Sequence, residues 1–143
     1  MSALLPVAGL LALVFVGWVL YQYSNVGKRT HYSQATRSFH SKVVGVTFDN
    51  ADGSSRQQII RTHCRAGMQL ELRAEPDNPR DPGAAALWTP HGQVGYIESG
   101  RLADDLLRYQ DDGRLVGIHV TAITGGTKAK PTRGLNIEIS LRP

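Results

Sequence analysis

The stretch from Ala3 to Tyr21 reads ALLPVAGLLALVFVGWVLY, 19 residues without one charged side chain. As a helix rising 1.5 Å per residue it reaches roughly 28 Å, about the hydrocarbon thickness of a bilayer. A water-facing helix needs a polar face, and this segment has none. Trp18, Tyr21 and Tyr23 gather at its C-terminal end, where amphipathic rings favour the headgroup layer. A cleaved secretory signal is the competing reading. It calls for a basic n-region and a small-x-small cleavage site, and neither is present. The expectation is an uncleaved single transmembrane helix over residues 3–23.

Charge sets the orientation. The chain carries 16 basic and 12 acidic side chains, a net charge of +4. Lys28, Arg29, Arg37 and Lys42 account for the whole excess, since residues 43–143 hold 12 of each sign. Basic residues beside one end of a span hold that end in the cytoplasm. The domain beyond is thus expected at the cytoplasmic face of the plasma or inner membrane. Residues 24–37 read as a basic juxtamembrane tether. The single cysteine, Cys64, excludes an internal disulfide and any multi-thiolate metal site.

Past the tether the pattern turns β-rich. The run Val43–Phe48 has the β-branched density of a strand, and Asp49 to Gly53 form a turn cluster. Ser54 precedes Gln57 by three residues, a capping-box spacing that predicts a helix through about Ala66. Ile59, Ile60 and His63 share its inner face, with Gly67 as its stop. Met68, Leu70, Leu72 and Ala74 alternate with polar residues as a half-buried strand. Prolines 76, 79 and 82 impose a loop. Residues 84–88 and 93–97 form a hairpin around Pro90-His91-Gly92. Ser99 is placed to cap a second helix over 100–110, with Leu102, Leu106 and Leu107 inward. Alternation at 116–122 and 135–141 gives two last strands, joined by the flexible basic loop 124–134. Strands with two inserted helices in about 100 residues suggest a small closed or nearly closed barrel. A two-layer α+β sandwich is the alternative.

No constellation for catalysis emerges. Gly125-Gly126-Thr127-Lys128 lacks the phosphate-loop spacing and a following helix. The histidines 31, 40, 63, 91 and 119 fall at no metal-ligand spacing. Asp104-Asp105 and Asp111-Asp112 are adjacent in sequence, which turns each pair about 100° apart on a helix. The reading is a binding protein without catalysis, metal or cofactor.

One set of motifs is more specific. Gly45-Val46-Thr47-Phe48-Asp49-Asn50 leads into Asp52-Gly53-Ser54-Ser55-Arg56-Gln57. Then come Glu75-Pro76-Asp77-Asn78-Pro79-Arg80-Asp81-Pro82 and, further on, Gly95-Tyr96-Ile97. Their order and spacing resemble the HIRAN domain over residues 38–143. The resemblance implies a modified OB-like β-barrel. It also implies the binding of nucleic acid, single-stranded DNA first, by a module that in fork-remodelling relatives grips a free 3′ end. Carried onto this chain, the ligand-binding residues are Phe48, Asn78, Arg80 and Tyr96, with Asp81 supporting the loop. The 3′-end-binding relatives have an arginine and two tyrosines where this chain has Thr47, Phe48 and Asp49. An aromatic of theirs is Arg80 here, and a lysine is Ser99. The fold expected is therefore mainly β, a small OB-like barrel with two short helices, preceded by one transmembrane helix. The function expected is nucleic-acid binding at a membrane. The alternative is a protein-interaction adaptor using the same groove for a protein partner.

Overall fold

The computed structural model describes residues 37–143. The expected anchor and all but the last residue of the tether lie outside them. Among the described residues no helix is long and apolar enough to cross a membrane.

Six antiparallel strands and two helices make up the domain. Strands β1 (Arg37–Lys42), β2 (Gln69–Ala74), β3 (Ala85–Thr89), β4 (Gly92–Tyr96), β5 (Leu115–Thr124) and β6 (Gly134–Leu141) are joined in the order β1-β6-β5-β2-β3-β4. Helix α1 (Arg56–His63) packs on β4, and α2 (Arg101–Asp111) covers β2, β3 and β5. β2 changes partner along its length. Gln69 and Leu70 face His119 and Ile118 of β5, whereas Glu71 to Ala74 pair with β3. That swivel bends the sheet around one core of Ile60, Leu87, Val94, Leu106, Ile118, Ile137 and their neighbours. Burying an aliphatic side chain of this size stabilises by about 1.5–3 kcal/mol.

The sheet does not close, contrary to the barrel expectation. Its edge strands, β1 and β4, come together only beyond the end of β1. There Val44 and Tyr96 exchange two backbone hydrogen bonds of 2.9 Å, an isolated bridge. Gly45, at φ 71°, then turns the chain away, and the Phe48 N–H returns to the Gly45 carbonyl at 3.3 Å. Val43 to Phe48 is accordingly not a ladder strand. Its apolar content reflects burial of Val43 and packing of Val46, while the true first strand lies just before it.

Other boundaries shift for local reasons. Ser55, not Ser54, caps α1, its hydroxyl accepting from the Gln58 N–H. The helix stops at His63, short of Gly67, and His63 is exposed, its ring stacked 3.6 Å from that of His91. Gly100 occupies the N-cap of α2 in place of Ser99, with no side-chain cap bond. Ala103 and Leu106 are fully buried there, and Leu102 and Leu107 partly so. A register shift between Leu115 and Gly117 puts Val116 outside at 43% exposure, although alternation predicts it inside. β6 follows the pattern, with Leu135, Ile137, Ile139 and Leu141 all buried.

Candidate nucleic-acid interface

The open seam between the sheet edges forms a groove of about 490 Å³. Phe48, Asn78, Arg80, Asp81 and Tyr96 all line it. Three stretches far apart in sequence supply them: the turn after β1, the proline-rich loop after β2, and the end of β4. The Val44–Tyr96 bridge brings the first and last of these together.

The turn carrying Phe48 is held by the residues that follow it. Arg56, 6% exposed, donates from Nη1 to the Gly45 carbonyl at 2.9 Å and from Nε to Asn50 Oδ1 at 2.7 Å. Asn50 Nδ2 donates in turn to Ser54 Oγ and to the Gln93 carbonyl, both at 3.0 Å. Asp52 accepts from the Ser54 N–H and hydroxyl, and these bonds hold its carboxyl below the usual range. Gln57 Nε2 donates to the carbonyls of Val46 and Arg133. The DG-x-SRQ motif is thus a clamp on the 45–50 segment. Each bond adds about 1 kcal/mol net, more where a charged donor is involved.

Loop 76–83 is ordered by its own side chains. Asn78 Oδ1 accepts from the N–H groups of Arg80 (2.9 Å) and Asp81 (3.2 Å). Asp81 Oδ1 accepts from the Gly83 N–H at 2.9 Å, and the Ala84 N–H closes on the Asp81 carbonyl. Short polar side chains between prolines stabilise turns this way. It leaves the Asn78 amide hydrogens for a ligand, its oxygen being engaged.

Gly45 marks where the groups converge. A Cβ placed there would sit 3.3 Å from Arg56 Nη1, 3.5 Å from Tyr96 Cδ2 and 3.7 Å from Phe48 Cδ2. Both rings and the guanidinium therefore surround one point of backbone. Phe48 is 63% exposed, so its ring is free to stack. Tyr96 is half-buried, and its hydroxyl donates to Glu75 Oε1 at 2.8 Å. The Arg56 guanidinium lies 5.1 Å from its ring centroid, a cation–π arrangement. Tyr96 forms a floor and Phe48 a projecting wall.

Arg56 belongs to the quoted motif but is absent from the ligand residues expected from the sequence. It is buried, lines the groove, and has no carboxylate within ion-pair distance among the described residues. Its neighbours are neutral oxygens, which leaves its charge facing the groove. Asp49 and Ser99, two of the departures from the 3′-end-binding pattern, line the same groove. With Arg56 and Arg80 against Asp49 and Asp81, the wall carries both signs. No cluster of three or more metal-ligating side chains occurs among the described residues.

A larger cleft of about 820 Å³ opens where β2 leaves β5. It contains none of the sequence-predicted residues. The Trp88 ring lies there under Arg73, 4.3 Å from centroid to guanidinium carbon.

No family model matches the chain, and no curated protein matches it. Among solved structures, the crystal structure of the HIRAN domain of human HLTF superposes with a TM-score of 0.50 at 19% identity. The match covers 73% of this chain and 74% of that one. A protein from Lactobacillus plantarum matches with a TM-score of 0.49 and 21% identity, over 76% of this chain and 98% of that one. Residues 37–143 have a HIRAN-like fold.

Proposed function

We propose that this HIRAN-like domain binds single-stranded nucleic acid in the seam groove, DNA strands with a free end foremost, and performs no catalysis of its own. The supporting observation is the convergence of Phe48, Tyr96 and Arg56 around Gly45, with Asn78 and Arg80 on the facing loop. An exposed ring beside a floor of ring and guanidinium suits an unstacked base, and such stacking contributes about 1–3 kcal/mol per base. Arg56 and Arg80 suit a phosphate, and the Asn78 amide a base edge or sugar oxygen. The uncharged segment 3–21 and its basic flank support the further proposal that a membrane helix tethers the domain at the cytoplasmic face.

The test is a titration of the full chain, in neutral detergent, with labelled single strands whose 3′ ends are free or blocked. Saturable binding that Phe48→Ala weakens by about tenfold is expected, in line with one lost stacking contact. A blocked end that binds as well as a free one restricts the reading to strand binding without end recognition. Absence of saturable binding at low salt would sink it. Capture of a protein partner through the same groove, displaced by Phe48→Ala, would favour the adaptor reading instead.

A further inference from the structure

A second groove lies on the other side of the segment that carries Phe48. Val44, Gly45 and Phe48 border the first groove, while Val43 and Val46 border the second, about 240 Å³ in volume. Lys42 enters it from the end of β1, and Lys130 and Arg133 from the β5–β6 loop. No acidic side chain lines it, and none of the three cations is ion-paired among the described residues.

The backbone that carries Lys130 and Arg133 is ordered, and the Arg133 guanidinium is packed against it. The loop predicted to be flexible is closed by two hydrogen bonds of 3.0 Å, from the Thr127 N–H to the Lys130 carbonyl and from the Lys130 N–H to Thr127 Oγ1. The Arg133 guanidinium lies across Gly126, so closely that a Cβ there would come within 2.7 Å of it. The Arg133 backbone is tied at both ends to one side chain. Its N–H donates to Gln57 Oε1 and its carbonyl accepts from Gln57 Nε2, each at 2.8 Å. Gln57 also holds the Val46 carbonyl, and its neighbour Arg56 holds that of Gly45. The start of α1 thus fixes both grooves against the same five or so residues of chain.

Three like-charged groups around a concave, acid-free groove favour an anion, and the adjacency of the aromatic groove favours a chain of them. We propose that Lys42, Lys130 and Arg133 form a phosphate subsite for the internucleotide phosphates of a strand whose end base occupies the Phe48–Tyr96 groove. This inference rests on the nucleic-acid reading of that groove. A ligand spanning both sites has about 4 nucleotides or more, the lower range for one OB-type module.

The test compares a labelled dinucleotide with a labelled single strand of about 8 nucleotides, using the full chain in neutral detergent across a salt series. The double variant Lys130→Gln/Arg133→Gln is expected to bind the longer strand about tenfold more weakly. Its log–log salt slope falls by about 1.4, from two lost phosphate contacts at roughly 0.7 each. Its dinucleotide affinity stays within about twofold. Lys42→Gln, outside the loop, gives half that slope change and guards against a loop that fails to fold. An unchanged slope on the longer strand, with Phe48→Ala still impairing both ligands, overturns the subsite and leaves the groove reading standing. Equal losses on both ligands also overturn it, since the loop would then act only by supporting the first groove. If the double variant loses binding to phosphatidylglycerol vesicles while keeping the longer strand, the cations serve a membrane and the proposal is wrong. Failure of the unaltered chain to bind either strand removes both readings together.

Discussion

Arg56 does two things at once, and the conflict between them is informative. A buried guanidinium is ordinarily matched by a carboxylate, because desolvating an unpaired charge is costly. Here neutral oxygens and the Tyr96 ring surround it. The arrangement makes sense if the charge is left for a ligand. Arg56→Lys keeps the charge but cannot donate to Gly45 and Asn50 in one plane. It is expected to destabilise the fold by about 2–3 kcal/mol, as for loss of a charged hydrogen bond, and to loosen the Phe48 turn. Thermal melting and strand affinity check it, and a variant with unchanged stability would show that the clamp does not depend on the fork. Cys64 is the simpler case. It is buried, and burial pushes its thiol up to about 11. The native thiol is thus neutral at pH 7, and only the thiolate is nucleophilic. Iodoacetamide should label it slowly until the chain unfolds. Since the folded value is raised, its contribution to stability is complete below the unfolded pKa of about 8.5 and is lost as pH climbs toward 11. Rapid labelling of the folded chain at pH 7 would contradict this.

At the level of elements, legibility followed the kind of signal. β6 alternates without interruption, and every inward residue was readable. β5 was misphased at Val116 because a register shift is set by its partner strands and leaves no mark in the alternation. The Val43–Phe48 run read as a strand because burial and ladder pairing select the same β-branched residues. Only Gly45 distinguishes the turn, through its left-handed φ. The proline-rich loop was placed correctly, and its internal Asx bonds account for its order. The four expected ligand residues share one groove because sequence motifs reported the seam; Arg56 stands in the same motifs, but its place in the groove depends on the Tyr96 ring, 40 residues along the chain, which no local pattern shows.

For the whole molecule, the governing feature is a sheet that nearly closes. Gly95 makes this possible. A Cβ there would overlap the Val44 carbonyl oxygen and stand 2.6 Å from Val43 Cγ1. Gly95→Ala should therefore part the Val44–Tyr96 bridge and the groove built on it. The expected cost is about 1–3 kcal/mol, typical of overpacking, which lowers Tm by about 4–8 °C per kcal/mol in a domain this size. A wild-type melting curve with intact binding would show that the seam tolerates opening. Charge is informative only once it is located. The net +4 comes from Lys28, Arg29, Arg37 and Lys42, the first two of which precede the described domain. Residues 43–143 are neutral overall, so binding has to draw on local groups such as Arg56, Arg80 and the cations of the second groove.

The position of a bound strand decides between the grooves. Amide chemical-shift mapping of the full chain with a short single strand locates it directly. The seam groove predicts perturbations at Gly45, Phe48, Asn78 to Asp81 and Tyr96, with the cleft around Trp88 and Val116 quiet. Perturbations confined to that cleft, or none at saturating strand, would contradict it.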